Sequence, residues 1–304
     1  MSSSPKNSEG SSSRPIAPIL APLYPAQFQD LVRATLLEDL GRGGDLTSDA
    51  VIPDSTPGRA LVVARQQGCI AGLEVARCAF QMLDGSLRWH AKASDGDVPL
   101  PGTTLAVVEG SARGLLAAER TALNFLGHLS GVATVTRTIA EAIAHTPARV
   151  ACTRKTTPLL RTLEKYAVRA GGGANHRFGL DDAVMIKDNH RSVAGSLTLA
   201  VERVRAAVGH MVKIEVEVDT LEQLLEALPL HVDALLLDNM SLEELREAVE
   251  LARGANSRAV LEASGGITPQ TAPAIAETGV DVLSIGWITH SAPRLDVALD
   301  IDLS

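Results

Sequence analysis

Apolar residues recur along this chain with two distinct rhythms. In AQFQDLVRATLLEDL, from Ala26 to Leu40, they fall at helical spacing. GRGGDLTSD interrupts that pattern with three glycines and offers Asp45 as a turn residue or helix cap. ALVVARQQGCIAG predicts a strand, a turn and a second strand. GLEVARCAFQML predicts a helix, SLRWHAKA a strand, and DGDVPLPGTTLAVVEG a turn-rich passage that ends in a strand. A long Ala- and Leu-rich helical zone follows, SARGLLAAERTALNFLGHLSGVATVTRTIAEAIAH, with a break expected between Gly127 and Gly131.

After Pro147 the rhythm changes. Six short apolar runs, each followed by a helical pattern, occupy residues 149–152, 183–186, 212–218, 234–237, 258–263 and 282–285. Such alternation predicts parallel strands joined by helices, and runs without polar alternation predict strands buried on both faces. A complete eight-unit barrel is not supplied, so a smaller or incomplete α/β barrel is expected.

Composition narrows the function classes. The chain has 304 residues, 45% hydrophobic, 21% charged and only 3% aromatic, with a formal net charge of -8. The scarcity of aromatics argues against a base-stacking surface, and the acidity against a broad nucleic-acid footprint. Three widely spaced cysteines form no C-x-x-C pair, which fits a reduced cytoplasmic protein without a disulfide framework. No apolar run is long enough to span a bilayer. The Ser-rich start through residue 24 is expected to be disordered.

Against this acidic background, Ala151–His190 concentrates Arg154, Lys155, Arg161, Lys165, Arg169, His176, Arg177, Lys187 and His190. Arg154 and Lys155 follow one predicted strand beside Thr153, and Lys187 follows the next, so they should converge on a small anion. Arg161, Lys165 and Arg169 repeat every four residues and predict a solvated helix face, with Glu164 as a partner. His176 fits either a structural role or a ligand contact. Glu217 and Asp238 end adjacent strands; as paired carboxylates they could hold Mg²⁺, bind ribose hydroxyls or act as acid and base. Glu215 shares a strand face with Glu217 but lies deeper. Ser264, Gly265 and Gly266, ahead of a helix expected near Pro269, and Ser284, Ile285 and Gly286 form two consecutive turns suited to a phosphate.

TRKTTP, LRTLEKYAVRAGGGANHR, IKDNH, EVEVDT, LLLDNM, EASGGIT and THSAP, with ERTALNFL, SGVAT and LLEDLGRGGDLTS, together resemble the quinolinate phosphoribosyltransferase family. The resemblance runs from about residue 25 to the end. It implies an N-terminal α/β sandwich domain over 25–128, which includes the linking helix. A six-to-seven-stranded α/β barrel would follow over 129–304. It implies transfer of phosphoribose from phosphoribosyl pyrophosphate to quinolinate with Mg²⁺, giving nicotinate mononucleotide, pyrophosphate and CO₂ for NAD synthesis. It further implies a homodimer in which Arg120 reaches the neighbouring site. Arg154, His176, Arg177 and Lys187 would surround quinolinate, Lys155 would meet the pyrophosphate, and Glu217 and Asp238 would face the ribose and Mg²⁺. The two turns would hold the 5′-phosphate. Two positions depart from the pattern: Cys152 stands where Asp or Gly is expected, and Leu159 where Gly often follows the proline. From the residues alone, Lys187 also suits a Schiff-base lyase, and a paralogue acting on another pyridine or base, or a non-catalytic binder of pyridine dicarboxylates, shares the same cup.

Overall fold

The computed structural model describes residues 20–302. The expected N-terminal tail therefore lies almost wholly outside the described residues. Two sheets organise the chain. The first contains β1 (Pro57–Ala64), β2 (Arg88–Ala91) and β3 (Thr104–Ser111), all antiparallel. The second is parallel and contains β4 (Arg149–Ala151), β5 (Val184–Ile186), β6 (Ile214–Val218), β7 (Ala234–Asp238), β8 (Val260–Ser264) and β9 (Val282–Ser284). All six predicted apolar runs are strands. β10 (Val297–Asp302), which the sequence reading gave to the barrel, returns to the first sheet and pairs antiparallel with β1, giving the order β10-β1-β3-β2.

The parallel sheet runs β4-β9-β8-β7-β6-β5. Its end strands do not pair with each other. The segment around Ala174 fills that opening: the Ala174 amide donates to Val150 O at 2.7 Å, and the Cys152 amide donates to Ala174 O at 3.2 Å. Arg177 then donates from Nη1 to Ala183 O at 3.0 Å, beside the start of β5. The barrel is thus six-stranded, with one side closed by a non-strand segment that delivers His176 and Arg177.

Three local expectations change. The segment Cys69–Gly72 after β1 forms no second strand; Ile70 exchanges backbone hydrogen bonds with Asp97 and Gly96 in a loop. The helical zone is one unbroken helix, Ala112–Ala142. Its glycines serve close approach rather than a break: a Cβ on Gly131 would lie 2.1 Å from Pro293 O, and one on Gly127 2.9 Å from Leu295 O. The helix after the SGGIT turn spans only Ala272–Ala276, a few residues later than expected. Asp45 does cap the helix Leu46–Val51, where its Oδ1 accepts from the Ser48 amide at 3.0 Å. No described helix is long and apolar enough to cross a membrane.

Candidate active site

Strand alternation decides which side chains enter the barrel. On β6, Ile214, Val216 and Val218 pack outward into the apolar core, so Glu215 and Glu217 point inward. By the same alternation on β8, Leu261 and Ala263 are core residues, and Glu262 and Ser264 face the barrel interior. At the carboxyl ends of the strands lies a cavity of about 380 Å³. Its polar wall carries Thr153, Arg154, Lys155, His176, Arg177, Lys187, Glu217, Asp238, Ser264 and Ser284. Beside it, sharing Thr153, Lys155, Asp238, Ser264 and Ser284, is a second lobe of about 300 Å³ lined by Gly265, Gly266, Ile285 and Gly286. The predicted cup is therefore one continuous site with a cationic lobe and a glycine lobe.

The glycine lobe has a steric reason for its composition. Gly265 sits at φ +102° and Gly266 at φ +59°, a region that disfavours side chains, and a Cβ on Gly265 would meet Asn239 Oδ1 at 2.1 Å. A Cβ on Gly286 would lie 2.9 Å from Lys155 Cδ. Trp287 Nε1 donates to Ile267 O at 2.8 Å, tying the two turns together, and Thr289 Oγ1 donates to Lys155 O at 2.8 Å, anchoring the TRKT loop to the second turn.

The cationic lobe is short of anions. Arg154 Nε is buried without a hydrogen-bond partner. Burial, then the nearby charge of Arg154, draws the Arg177 guanidinium below its ordinary value, the mark of cations held together in a partly desolvated place. Lys187 Nζ pairs with Glu217 across the site. Asp238 Oδ2 accepts from Asn239 Nδ2 at 2.7 Å.

Beneath these groups lies a trio. His176 Nε2 is 2.9 Å from Glu215 Oε2 and 3.5 Å from Glu262 Oε1. Its Nδ1 accepts from the Arg177 amide at 2.8 Å, so both ring nitrogens are engaged inside the protein. Burial lowers the proton affinity of the ring, but the Glu215 hydrogen bond and both carboxylates outweigh it and raise its pKa. In the neutral ring, Nδ1 accepts the Arg177 N–H and the proton sits on Nε2, facing the two carboxylates. Burial, reinforced by the charge of Glu215, pushes Glu262 up to about 7. Among the described residues, this trio is also the cluster of His and carboxylate groups whose ligand atoms come within 4.8 Å of one another. The Mg²⁺ pair expected from sequence, Glu217 with Asp238, is a different set.

Arg120 does not reach its own chain's cavity. It lies on the long helix, exposed, 3.7 Å from Glu119. The solvated face expected for Arg161, Lys165 and Arg169 is overturned. Glu164 and Lys165 are fully buried. Glu164 accepts from the Thr157 amide at 3.1 Å and contacts His128 Nε2 at 2.9 Å, while Arg161 binds Thr156 Oγ1 and Phe178 O. These contacts hold the TRKTT loop from below. Sequence reasoning missed Glu262, Met185 and Leu236 in the first lobe and Asn239 and His290 in the second. Glu262 carried a usable signal, since it is two residues before Ser264 on one strand and so shares its face.

A parallel-barrel fold with a phosphate-sized glycine cup beside a cationic pocket defines an enzyme class that handles phosphorylated, carboxylated small molecules. Comparison with known proteins sharpens this. The chain matches the family models "Quinolinate phosphoribosyl transferase, N-terminal domain" over residues 45–130 and "C-terminal domain" over 132–300. It is 43% identical over 278 residues to a probable nicotinate-nucleotide pyrophosphorylase [carboxylating] of Bacillus subtilis, covering 91% of this chain and 94% of that one. It is also 43% identical to the nicotinate-nucleotide pyrophosphorylase [carboxylating] of Mycobacterium leprae, covering 90% and 96%. A solved nicotinate-nucleotide pyrophosphorylase from Francisella tularensis superposes with a TM-score of 0.88 at 36% identity, covering 92% of this chain and 98% of that one. The chain belongs to the quinolinate phosphoribosyl transferase family.

Proposed function

We propose that this protein transfers phosphoribose from phosphoribosyl pyrophosphate to quinolinate and decarboxylates the adduct, giving nicotinate mononucleotide, pyrophosphate and CO₂ for NAD synthesis. The observation that carries this reading is the continuity of the two lobes: a pocket with Arg154, Lys155, Arg177 and Lys187 opens onto a glycine cup through shared Ser264 and Ser284. A pyridine dicarboxylate suits the cationic lobe and a 5′-phosphate suits the glycine lobe, which leaves the ribose carbon between them.

Arg154, Arg177 and Lys187 bind the two carboxylates of quinolinate. His176, held by Glu215, shapes the floor. Lys155 meets the pyrophosphate. Glu217 and Asp238 face the ribose, where their negative charge stabilises the positive charge that develops as pyrophosphate departs. Attack by the pyridine nitrogen then makes a pyridinium, which stabilises the carbanion left as CO₂ leaves. Ribosyl transfer therefore precedes decarboxylation; a carboxylated mononucleotide trapped in a slow variant supports this order, and free nicotinate as an intermediate refutes it.

Glu217 and Asp238 are oxygen donors at the mouth of the site and suit a hard cation, so they would hold Mg²⁺ together with substrate oxygens. The ion, when bound, neutralises charge on the pyrophosphate. The working unit is a homodimer in which the exposed Arg120 enters the neighbouring cavity. Mixing an Arg120→Ala protein with a Lys155→Ala protein should restore activity that neither has alone. No recovery after exchange of subunits would refute sharing. Free, unpaired cysteines fit a reducing cytoplasm.

The direct test supplies quinolinate, phosphoribosyl pyrophosphate and Mg²⁺ to the purified protein and measures nicotinate mononucleotide and CO₂, with nicotinate as a parallel substrate. Product from quinolinate alone is expected. Turnover of nicotinate instead would keep the fold and phosphate cup and refute the substrate.

A further inference from the structure

Lys165 is fully buried, yet among the described residues no carboxylate pairs with it. Its neighbour Glu164 turns instead to His128 and Thr157. Burying an ammonium ordinarily demands an anionic partner or a full set of acceptors. Lys165 Nζ finds the His176 carbonyl at 2.8 Å, the Cys152 sulfur at 3.2 Å and the face of Phe178 at 4.9 Å. Cys152 is fully buried as well, and its Sγ lies 3.3 Å from Asn175 Oδ1. It stands where the family pattern leads one to expect Asp or Gly. An amine nitrogen and a thiol sulfur are thus in contact in a place that excludes water, the sulfur on the residue after β4 and the nitrogen on the helix Arg161–Ala170.

We propose that Cys152 and Lys165 form a modification site, a reversible covalent bridge in which one oxygen atom joins sulfur to nitrogen. Dioxygen, small and apolar enough to enter a protein interior, is the oxidant. The ammonium gives up one proton to solvent; the S–H bond and one further N–H bond then break, and S–O and N–O bonds form. The second oxygen leaves as water with the two hydrogens. Sulfur and nitrogen each give up two electrons, and dioxygen accepts all four. Two equivalents of dithiothreitol return the four electrons and regenerate the thiol, the amine and water. Of the other thiols, Cys69 Sγ faces the Ala170 carbonyl at 3.5 Å and neighbours the Arg137 guanidinium, not a lysine amine.

The bridge would replace a cation by a neutral link. It would also fix the strand end that leads into Thr153, Arg154 and Lys155, and remake the contact that holds the His176 carbonyl. The part of the proposal that concerns catalysis rests on the quinolinate reading; the bridge itself does not.

The test keeps the full chain in oxygen-saturated or nitrogen-purged buffer and measures intact mass and tryptic peptides. The bridged form should gain about 14 Da, one oxygen added and two hydrogens lost, by the arithmetic of thiol oxidation. Trypsin should release Val150–Arg154 joined to Thr162–Arg169, left uncut at Lys165. Dithiothreitol should separate the two. Cys152→Ser and Lys165→Arg, the second keeping the buried charge, should remain unlinked. Bridged protein should show a several-fold higher KM for quinolinate, restored by dithiothreitol. Unlinked peptides after oxygen exposure, or sulfinic and sulfonic acid on Cys152 without a link, would overturn the site. An unchanged KM in bridged protein that turns over quinolinate would overturn its coupling to catalysis.

Discussion

Glu262→Gln isolates the proton stored under the active site. In the folded chain this carboxyl keeps its proton up to about pH 7, chiefly because burial penalises the anion and Glu215 repels it. In the unfolded chain it ionises near its ordinary value of 4.5. Between those values the native state binds the extra proton, so stability falls as pH rises. The contribution is fully present below 4.5 and is lost by the time pH passes about 7. Moving one carboxyl over that interval corresponds to about 3 kcal/mol. Because His176 and Glu215 share the charge, the measurable part is expected to be about 1–3 kcal/mol. Glutamine keeps the shape and cannot ionise. The raised His176 shifts stability in the same direction, losing it as pH rises through the folded value; the Gln protein keeps the Glu215 hydrogen bond but loses the Glu262 charge that adds to that shift. Urea unfolding at pH 5 should therefore give similar stabilities, and at pH 8 the Gln protein should be the more stable by that margin. A difference that does not change between pH 5 and 8, or a Gln protein that is less stable at pH 8, would refute the stored proton.

Gly131→Ala drives a methyl to 2.1 Å from a backbone oxygen of Pro293, so a loss of at least about 2 kcal/mol is expected in thermal or denaturant unfolding, with Gly127→Ala milder. Leu159 holds φ +65° with its side chain 88% exposed, so it bears left-handed strain without burying its apolar surface. Leu159→Gly removes about 1–2 kcal/mol of strain and gives back about 0.5–1 kcal/mol as chain entropy, so its urea midpoint should rise slightly; a fall would refute the strain. Lys187→Met strips one cation from the carboxylate pocket and leaves Glu217 unpaired. Its kcat/KM for quinolinate should fall by about 100-fold, equivalent to about 3 kcal/mol, and Lys187→Arg should recover part of it.

The barrel was legible because its strands are buried on both faces, which forces unbroken apolar runs such as ALLL that no loop would carry. The site was legible for the same reason: in a barrel, the residue after each run is placed by the strand, so Lys187 and Asp238 needed only counting. What was hidden depends on distant partners. Lys165 looks like one of three evenly spaced surface cations until Cys152 and the His176 carbonyl are seen above it. Gly127 and Gly131 look like a helix break until the returning segment at Pro293–Leu295 is seen pressed against them. Cys69–Gly72 has strand composition, but its hydrogen bonds go to a loop and to Ser130 and Thr134 on the long helix. The opposite error hid β10, whose DVALDID ending is too short and mixed to announce a strand, and whose partner, β1, lies near the other end of the sequence.

That pairing has a consequence for synthesis. β1 leaves the ribosome early, yet one of its edges has no partner until Val297–Asp302 emerges. The first sheet must wait through translation of the entire barrel with an unpaired edge exposed. Completion of the sheet therefore reports that the whole barrel has been made. A chain released before residue 297 would carry an open sheet edge, available to chaperones and prone to pairing with other nascent chains.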